Sequence, residues 1–188
     1  MENNEYSDDE LYQNYCDGDM EAFDDLIRRY DESLMWYLYG ILQDYQDAED
    51  MMVEAFAKLL EKRPVIRNGN FKAYLFKTAR NLAVNYRKHF RRQEEFSLVG
   101  MEEQLPSGES LEAKNVISEQ RTILYRCLNR MEKQLKEILY LVYLDGLSYS
   151  EVSQIMKVSK RRAAYLLERG KMRMREELEK EGVKDFLV

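Results

Sequence analysis

Residues 148–175 read SYSEVSQIMKVSKRRAAYLLERGKMRMR, and this stretch decides the architecture of the C-terminal half. Ser148 followed three residues later by Glu151 is the pairing in which two side chains satisfy each other's unpaired backbone N–H groups, so a helix is predicted to start at Tyr149. Val152, Ile155 and Met156 fall on one side of it. Val158-Ser159 then turns the chain into a second helix opening at Lys160, with Ala163, Leu166, Leu167 and Met174 inward. Helix, tight turn and basic helix make a helix-turn-helix.

The second helix puts Lys160, Arg161 and Arg162 in its first turn, against a helix dipole whose N-terminal end is partly positive. Stability alone favours acids there. Clustered donors at that end suit a phosphate or the acceptor edge of guanine, so the helix is expected to contact duplex DNA. Ala164, Tyr165, Glu168, Arg169 and Lys171 complete the candidate surface.

A second basic stretch lies upstream. Residues 71–92, FKAYLFKTARNLAVNYRKHFRR, hold seven Lys and Arg and no carboxylate in a chain of net charge −6. Leu75, Thr78, Ala79, Leu82, Ala83, Tyr86 and Phe90 mark its buried side. Tyr74, Lys77, Arg80, Asn81, Asn85 and Lys88 combine aromatic, amide and cationic groups, which stack on bases, bond base edges and follow a phosphate backbone. That composition suits single-stranded nucleic acid.

Between the termini, Phe23, Leu26, Ile27 and Tyr30 repeat with helical period after Asp19, a candidate N-cap, and Leu34, Leu38, Ile41 and Leu42 extend the stripe. Asp47 is the predicted cap of the next helix, which runs to Pro64. Its outer side carries Asp50, Val53, Glu54 and Ala57, mixing acids with apolar surface as a protein-docking face would. Leu128, Met131, Leu135, Ile138 and Leu139 begin the helices of the C-terminal half, and Asp145-Gly146 ends them.

The fold class is therefore all-α, two small helical domains joined by a flexible acidic linker, the second domain holding the helix-turn-helix. The predicted divisions are an acidic segment over 1–18, read as a solvated and frayed end; a first domain over 19–92; the linker over 93–117; a second domain over 118–181; and a tail over 182–188. Cys16, Cys127 and the lone His89 form no metal-ligand pattern, and the cysteines are expected to be free thiols. No nucleophile elbow, phosphate-binding glycine loop or paired-carboxylate site is present, so neither catalysis nor a cofactor is expected. No membrane span or signal peptide is read, which places the chain in the cytoplasm.

Four segments, in this order and spacing, resemble the bacterial sigma factors of the small extracytoplasmic-function group: Glu21-Ala-Phe-Asp-Asp-Leu26, Asp47-Ala-Glu-Asp-Met-Met-Val-Glu-Ala-Phe56, the run from Phe71 to Tyr86, and Leu144-Asp-Gly-Leu-Ser-Tyr-Ser-Glu-Val152. The resemblance implies a subunit that joins core RNA polymerase, directs it to promoters and helps open the duplex. By position it implies that Asp50, Val53, Glu54 and Ala57 dock on polymerase. It assigns Tyr74, Arg80, Asn81 and Asn85 to the melted minus-ten element, with Asn81 receiving a flipped-out base, and makes the C-terminal domain the reader of the minus-thirty-five duplex. It also implies an anti-sigma partner, which no residue demonstrates.

The chain departs from the family pattern at Val53, where glutamine is usual, at Tyr74 for tryptophan, and at Asn85 for an acid. The recognition helix departs further, opening with Lys160-Arg-Arg-Ala-Ala-Tyr165 rather than glycine, threonine and a hydrophobic residue. Two rival functions stay open on the residues alone: a free-standing helix-turn-helix regulator, and an inactive sigma-like adaptor that binds proteins.

Overall fold

The structure is a computed structural model that describes residues 6–66, 70–97 and 119–183, with side chains described outside 90–97, 119–122 and 125. Every regular element among these residues is helical. The first, α1, spans Asp8–Cys16. Ser7 and Glu10 form a capping box at its start, and Asp8, Asp9 and Glu10 sit where the helix dipole favours negative charge.

The expectation of a solvated, frayed acidic end is overturned over α1. Leu11, Tyr12 and Tyr15 share a face and are buried, while Asp8 pairs with Arg29 at 2.5 Å and accepts the Tyr30 hydroxyl. The acids line only the outer side of an element that belongs to the core.

Helix α2, Met20–Leu42, starts at the predicted cap: the Asp19 carboxylate accepts the Glu21 and Ala22 N–H groups. It ends at Gln43, which takes a left-handed φ of 63°. Helix α3, Tyr45–Lys62, is capped by Asp44 rather than by the predicted Asp47. Asp44 accepts the Asp47 N–H at 2.9 Å, which frees the Asp47 carboxylate to accept the Tyr86 hydroxyl at 2.6 Å. Pro64 follows the left-handed Arg63, as a helix stop should.

Helix α4, Phe71–Ser97, runs beyond the predicted end of the first domain at residue 92. Phe71, Leu75, Phe76, Ala79 and Ala83 are wholly buried against Phe23, Leu26, Leu34, Leu38, Phe56 and Leu59. Each buried Phe or Leu is worth about 1.5–3 kcal/mol relative to exposure. Tyr12 and Tyr15 direct their hydroxyls to the Pro64 and Leu60 carbonyls, supplying donors to the end of α3 that the helix itself lacks.

The C-terminal half consists of α5, Glu119–Asn129; α6, Lys133–Leu139, continued by a π turn over Tyr140–Leu144; α7, Tyr149–Met156; and α8, Lys160–Lys180. Asp145-Gly146 ends the π turn as predicted, Gly146 adopting a φ of 65°. The capping box of Ser148 and Glu151 is present, Lys157 makes the left-handed turn at a φ of 56°, and Ser159 caps α8. Gly170 lets α6 and α8 approach closely, since a Cβ there would stand 3.1 Å from Leu139 Cγ. Residues 93–97 of the predicted linker belong to α4. The remainder of the linker, 98–117, and tail residues 184–188 lie outside the described residues.

The two helical groups pack together. Glu137 of α6 accepts from Arg80 Nε at 2.5 Å, Arg80 Nη2 at 3.3 Å and the Tyr37 hydroxyl at 2.9 Å. Tyr140 donates to the Ser33 carbonyl at 2.8 Å, and Lys72 bonds the Asp145 carbonyl while its ammonium lies 3.6 Å from Asp145 Oδ1.

Candidate polymerase and nucleic-acid interfaces

Helix α3 buries Ala48, Met51, Ala55, Phe56 and Leu59, which turns the opposite side outward. Asp50, Val53 and Ala57 are exposed and Glu54 is half-exposed, so the four predicted docking residues share one face. Val53 is 59% exposed, an isopropyl group held largely in water. The Glu54 carboxylate pairs with Lys58 at 2.9 Å one turn on, an exposed pair of little energetic weight.

Along α4, the 100° step per residue sets Tyr74, Lys77, Asn81, Asn85 and Lys88 on one side. Tyr74, Asn85 and Lys88 are exposed, and Lys77 and Asn81 are half-buried. This strip can present a ring, two amides and two ammonium groups to a strand laid along it. Arg80 stands apart, turned away from the strip by roughly a third of a turn. Its side chain is only 17% exposed, and the guanidinium points to Glu137. Desolvation on its own would lower the Arg80 pKa, but the bond to Glu137 outweighs it and holds the guanidinium charged.

In the helix-turn-helix, α7 buries Val152, Ile155 and Met156, and α8 buries Ala163, Leu166, Leu167 and Met174, as the spacing predicted. The opposite side of α8 exposes Lys160, Arg161, Arg162, Ala164, Tyr165, Glu168 and Arg169, with Lys171 half-exposed. Tyr165 lies between two cations, Arg162 at 5.2 Å and Arg169 at 5.9 Å from its ring centre. These contacts restrain two guanidinium groups, Arg162 in the first turn and Arg169 about two and a half turns along α8. Tyr143 first, and then Glu168, which Lys171 bonds at 3.2 Å, hold the Lys171 ammonium pKa above the ordinary lysine value.

Residues 26–94 match the family described as Sigma-70 region 2, and residues 121–174 match Sigma-70, region 4. The chain belongs to the sigma-70 family. The matched spans hold the α4 strip and the helix-turn-helix respectively. Curated relatives belong to the same family: the RNA polymerase sigma-H factor of Pseudomonas aeruginosa is 26% identical over 160 residues, covering 80% of this chain and 82% of that protein. The ECF RNA polymerase sigma factor SigM of Bacillus subtilis is 25% identical over 166 residues, covering 87% and 99%. Among solved structures, the sigma factor RpoE of Bartonella quintana, in complex with the anti-sigma factor NepR, superposes with a TM-score of 0.64. It covers 85% of this chain and 98% of that one at 20% identity, a likeness of fold.

The chain is thus a sigma factor of the extracytoplasmic-function group, a transcription initiation factor that directs RNA polymerase to promoters. Sigma factors are non-enzymatic regulators. Among the described residues no three His, Cys, Asp or Glu are grouped to hold a metal, and no helix is long and apolar enough to cross a membrane. Cys16 and Cys127 are free thiols. Glu137 and Tyr37, at the contact between regions 2 and 4, carry no sequence signal, and Lys72, counted in the basic stretch, gives no sign of its partner Asp145. Their roles depend on pairings between residues 57 to 100 positions apart, and no local pattern announces them.

Proposed function

We propose that the outer face of α3, with Asp50, Val53, Glu54 and Ala57, docks on core RNA polymerase. Tyr74, Lys77, Asn81, Asn85 and Lys88 of α4 hold the melted minus-ten strand, with Arg80 at the edge of that site, and the protein thereby helps open the duplex. The exposed side of α8 reads the minus-thirty-five element, with Arg161 and Arg162 close to phosphate and Ala164, Tyr165, Glu168 and Arg169 toward the bases. Residues 19–92 and 118–181 act as the two functional units, and neither carries out catalysis.

The observation that carries this reading is the α4 strip. Two amides and a tyrosine ring lie along one accessible face with Lys77 and Lys88, within the span that matches region 2. A tyrosine ring stacks on a base only once it leaves the duplex stack, amides bond the edges such a base exposes, and cations alone would serve for duplex phosphate. An anti-sigma protein is a further proposed partner, supported by fold likeness to a sigma factor solved with one.

The test is reconstitution with core polymerase from the native host. Co-elution and initiation at discrete promoters of that genome are expected. Failure to associate with core overturns the α3 assignment, and association without promoter-specific initiation overturns the two DNA assignments.

A further inference from the structure

The closed packing of regions 2 and 4 is incompatible with reading a promoter. Elements centred at minus ten and minus thirty-five are separated by about 25 base pairs, roughly 85 Å of duplex at 3.4 Å per pair. Yet Tyr140 of region 4 bonds Ser33 of region 2 directly, and the Tyr37 and Tyr140 rings are 5.8 Å apart. The longest helix of region 4, the 21-residue α8, spans only about 32 Å. Region 4 must leave region 2 before one chain can reach both elements.

The chemistry of the contact shows what holds it. Glu137 gathers three donated hydrogen bonds, two from the Arg80 guanidinium and one from the Tyr37 hydroxyl, with its side chain only 11% exposed. A carboxylate offers a guanidinium the same paired acceptor oxygens that a phosphate does. Lys72, a further cation of α4, is held by Asp145. The contact thus places anions of region 4 on cations of the segment proposed to hold the strand.

The contact is also built to separate. A cavity of about 190 Å³ lies beside Glu137 between the regions, lined by Trp36, Tyr39, Ile41 and Leu128 among others, so apolar packing there is incomplete. Polar bonds at such a seam can be exchanged for water or DNA, whereas a tightly packed apolar seam would have no substitute partner. Meanwhile Asp50, Val53 and Ala57 on α3 and Arg161, Arg162 and Tyr165 on α8 stay exposed. Docking on polymerase and contact with duplex are available to the closed chain.

We infer that Glu137 is a built-in competitor of the melted strand, a latch that holds region 4 on region 2 by occupying Arg80 and Tyr37 until polymerase and promoter draw the regions apart. The competition rests on the proposed placement of Arg80 at the edge of the minus-ten site, whereas the latch does not.

The test uses the full chain without polymerase. Small-angle scattering reports compaction, and anisotropy reports affinity for a fluorescein-labelled single-stranded DNA of randomised sequence. Glu137→Gln should expand the chain and raise affinity by up to about tenfold, the ceiling when about one chain in ten is open beforehand. Glu137→Asp should retain part of the closure. Arg80→Gln should expand the chain without that gain, and adding it to Glu137→Gln should remove the gain. Thermal unfolding of each variant confirms that both regions remain folded. Unchanged compaction in folded Glu137→Gln and Arg80→Gln overturns the latch, and expansion of Glu137→Gln without tighter binding overturns the competition. A gain that survives Arg80→Gln supports the latch and overturns the strand contact of Arg80.

Discussion

The Tyr86 hydroxyl donates to the Asp47 carboxylate at 2.6 Å, tying helix α4, proposed to hold the strand, to helix α3, proposed to dock on polymerase. Asp47 lies one turn before Asp50, and Tyr86 lies beside Asn85. The bond links the two proposed surfaces, and it pushes the Tyr86 pKa up to about 12, chiefly through the hydrogen bond itself.

Tyr86→Phe keeps the ring and deletes the bond. Hydrogen bonds to charged groups contribute about 1.5–3 kcal/mol when well buried, and both groups here are half-exposed, so a loss of about 1 kcal/mol is expected. Urea unfolding measures it. A loss below a few tenths of a kcal/mol would show that water replaces the tyrosine without cost.

Asp145 makes the contact between regions pH-dependent. Burial pushes its pKa from 3.8 up to about 6, outweighing the opposing pull of Lys72, with Tyr30, Tyr37 and Ser33 also facing it from region 2. A raised carboxyl pKa means the closed chain binds the proton more tightly than the open one. Closure therefore strengthens as pH falls through about 6 toward 3.8 and is weakened by the buried charge above 6, by at most about 3 kcal/mol. Asp145→Asn should flatten the dependence of compaction on pH between 7.5 and about 5. An identical pH profile for variant and unaltered chain contradicts this role.

Gly170 is a packing position. A valine there would drive two methyl groups toward Leu139 and the Leu135 carbonyl, 3.1 and 3.5 Å from the site of a Cβ. Destabilisation of about 2 kcal/mol is expected, in the range for overpacked cores. Gly170→Ala should be much milder, because better helix propensity offsets a small shift of Leu139. Thermal unfolding of the two variants distinguishes them, and equal effects would argue against the close approach.

Arg161→Ala should weaken duplex binding by the holoenzyme and lower the slope of log affinity against log salt by about one unit, the signature of one lost phosphate contact. An unchanged slope with weaker binding would move Arg161 from phosphate to base contact.

Two helix starts were legible because cap and partner lie within one turn, Ser148 with Glu151 and Asp19 with Ala22, whereas the equally local Ser7–Glu10 box was hidden among acids. Asp47 was expected as the cap that Asp44 supplies, and the Asp47 carboxylate instead accepts from Tyr86, 39 residues away, a partner no local pattern announces. In α1 the density of acids obscured a face of Leu11, Tyr12 and Tyr15 whose spacing was itself visible. Helical spacing gathers Tyr74, Lys77, Asn81, Asn85 and Lys88, but the sequence grouped Arg80 with them, whereas its side chain turns to Glu137. The engagement of Arg80 by Glu137 was not legible, since ion pairs across 57 positions leave no periodic trace.

The most direct measurement compares run-off transcription by holoenzyme containing Asn81→Ala on fully duplex and pre-melted promoter templates. Asn81 is proposed to receive an unstacked base, so its contact forms only with the opened strand. Normal association with core is expected, with output from duplex reduced at least about tenfold, equivalent to about 1.4 kcal/mol, and largely restored on the pre-melted template. Equal output from the two templates would contradict the account.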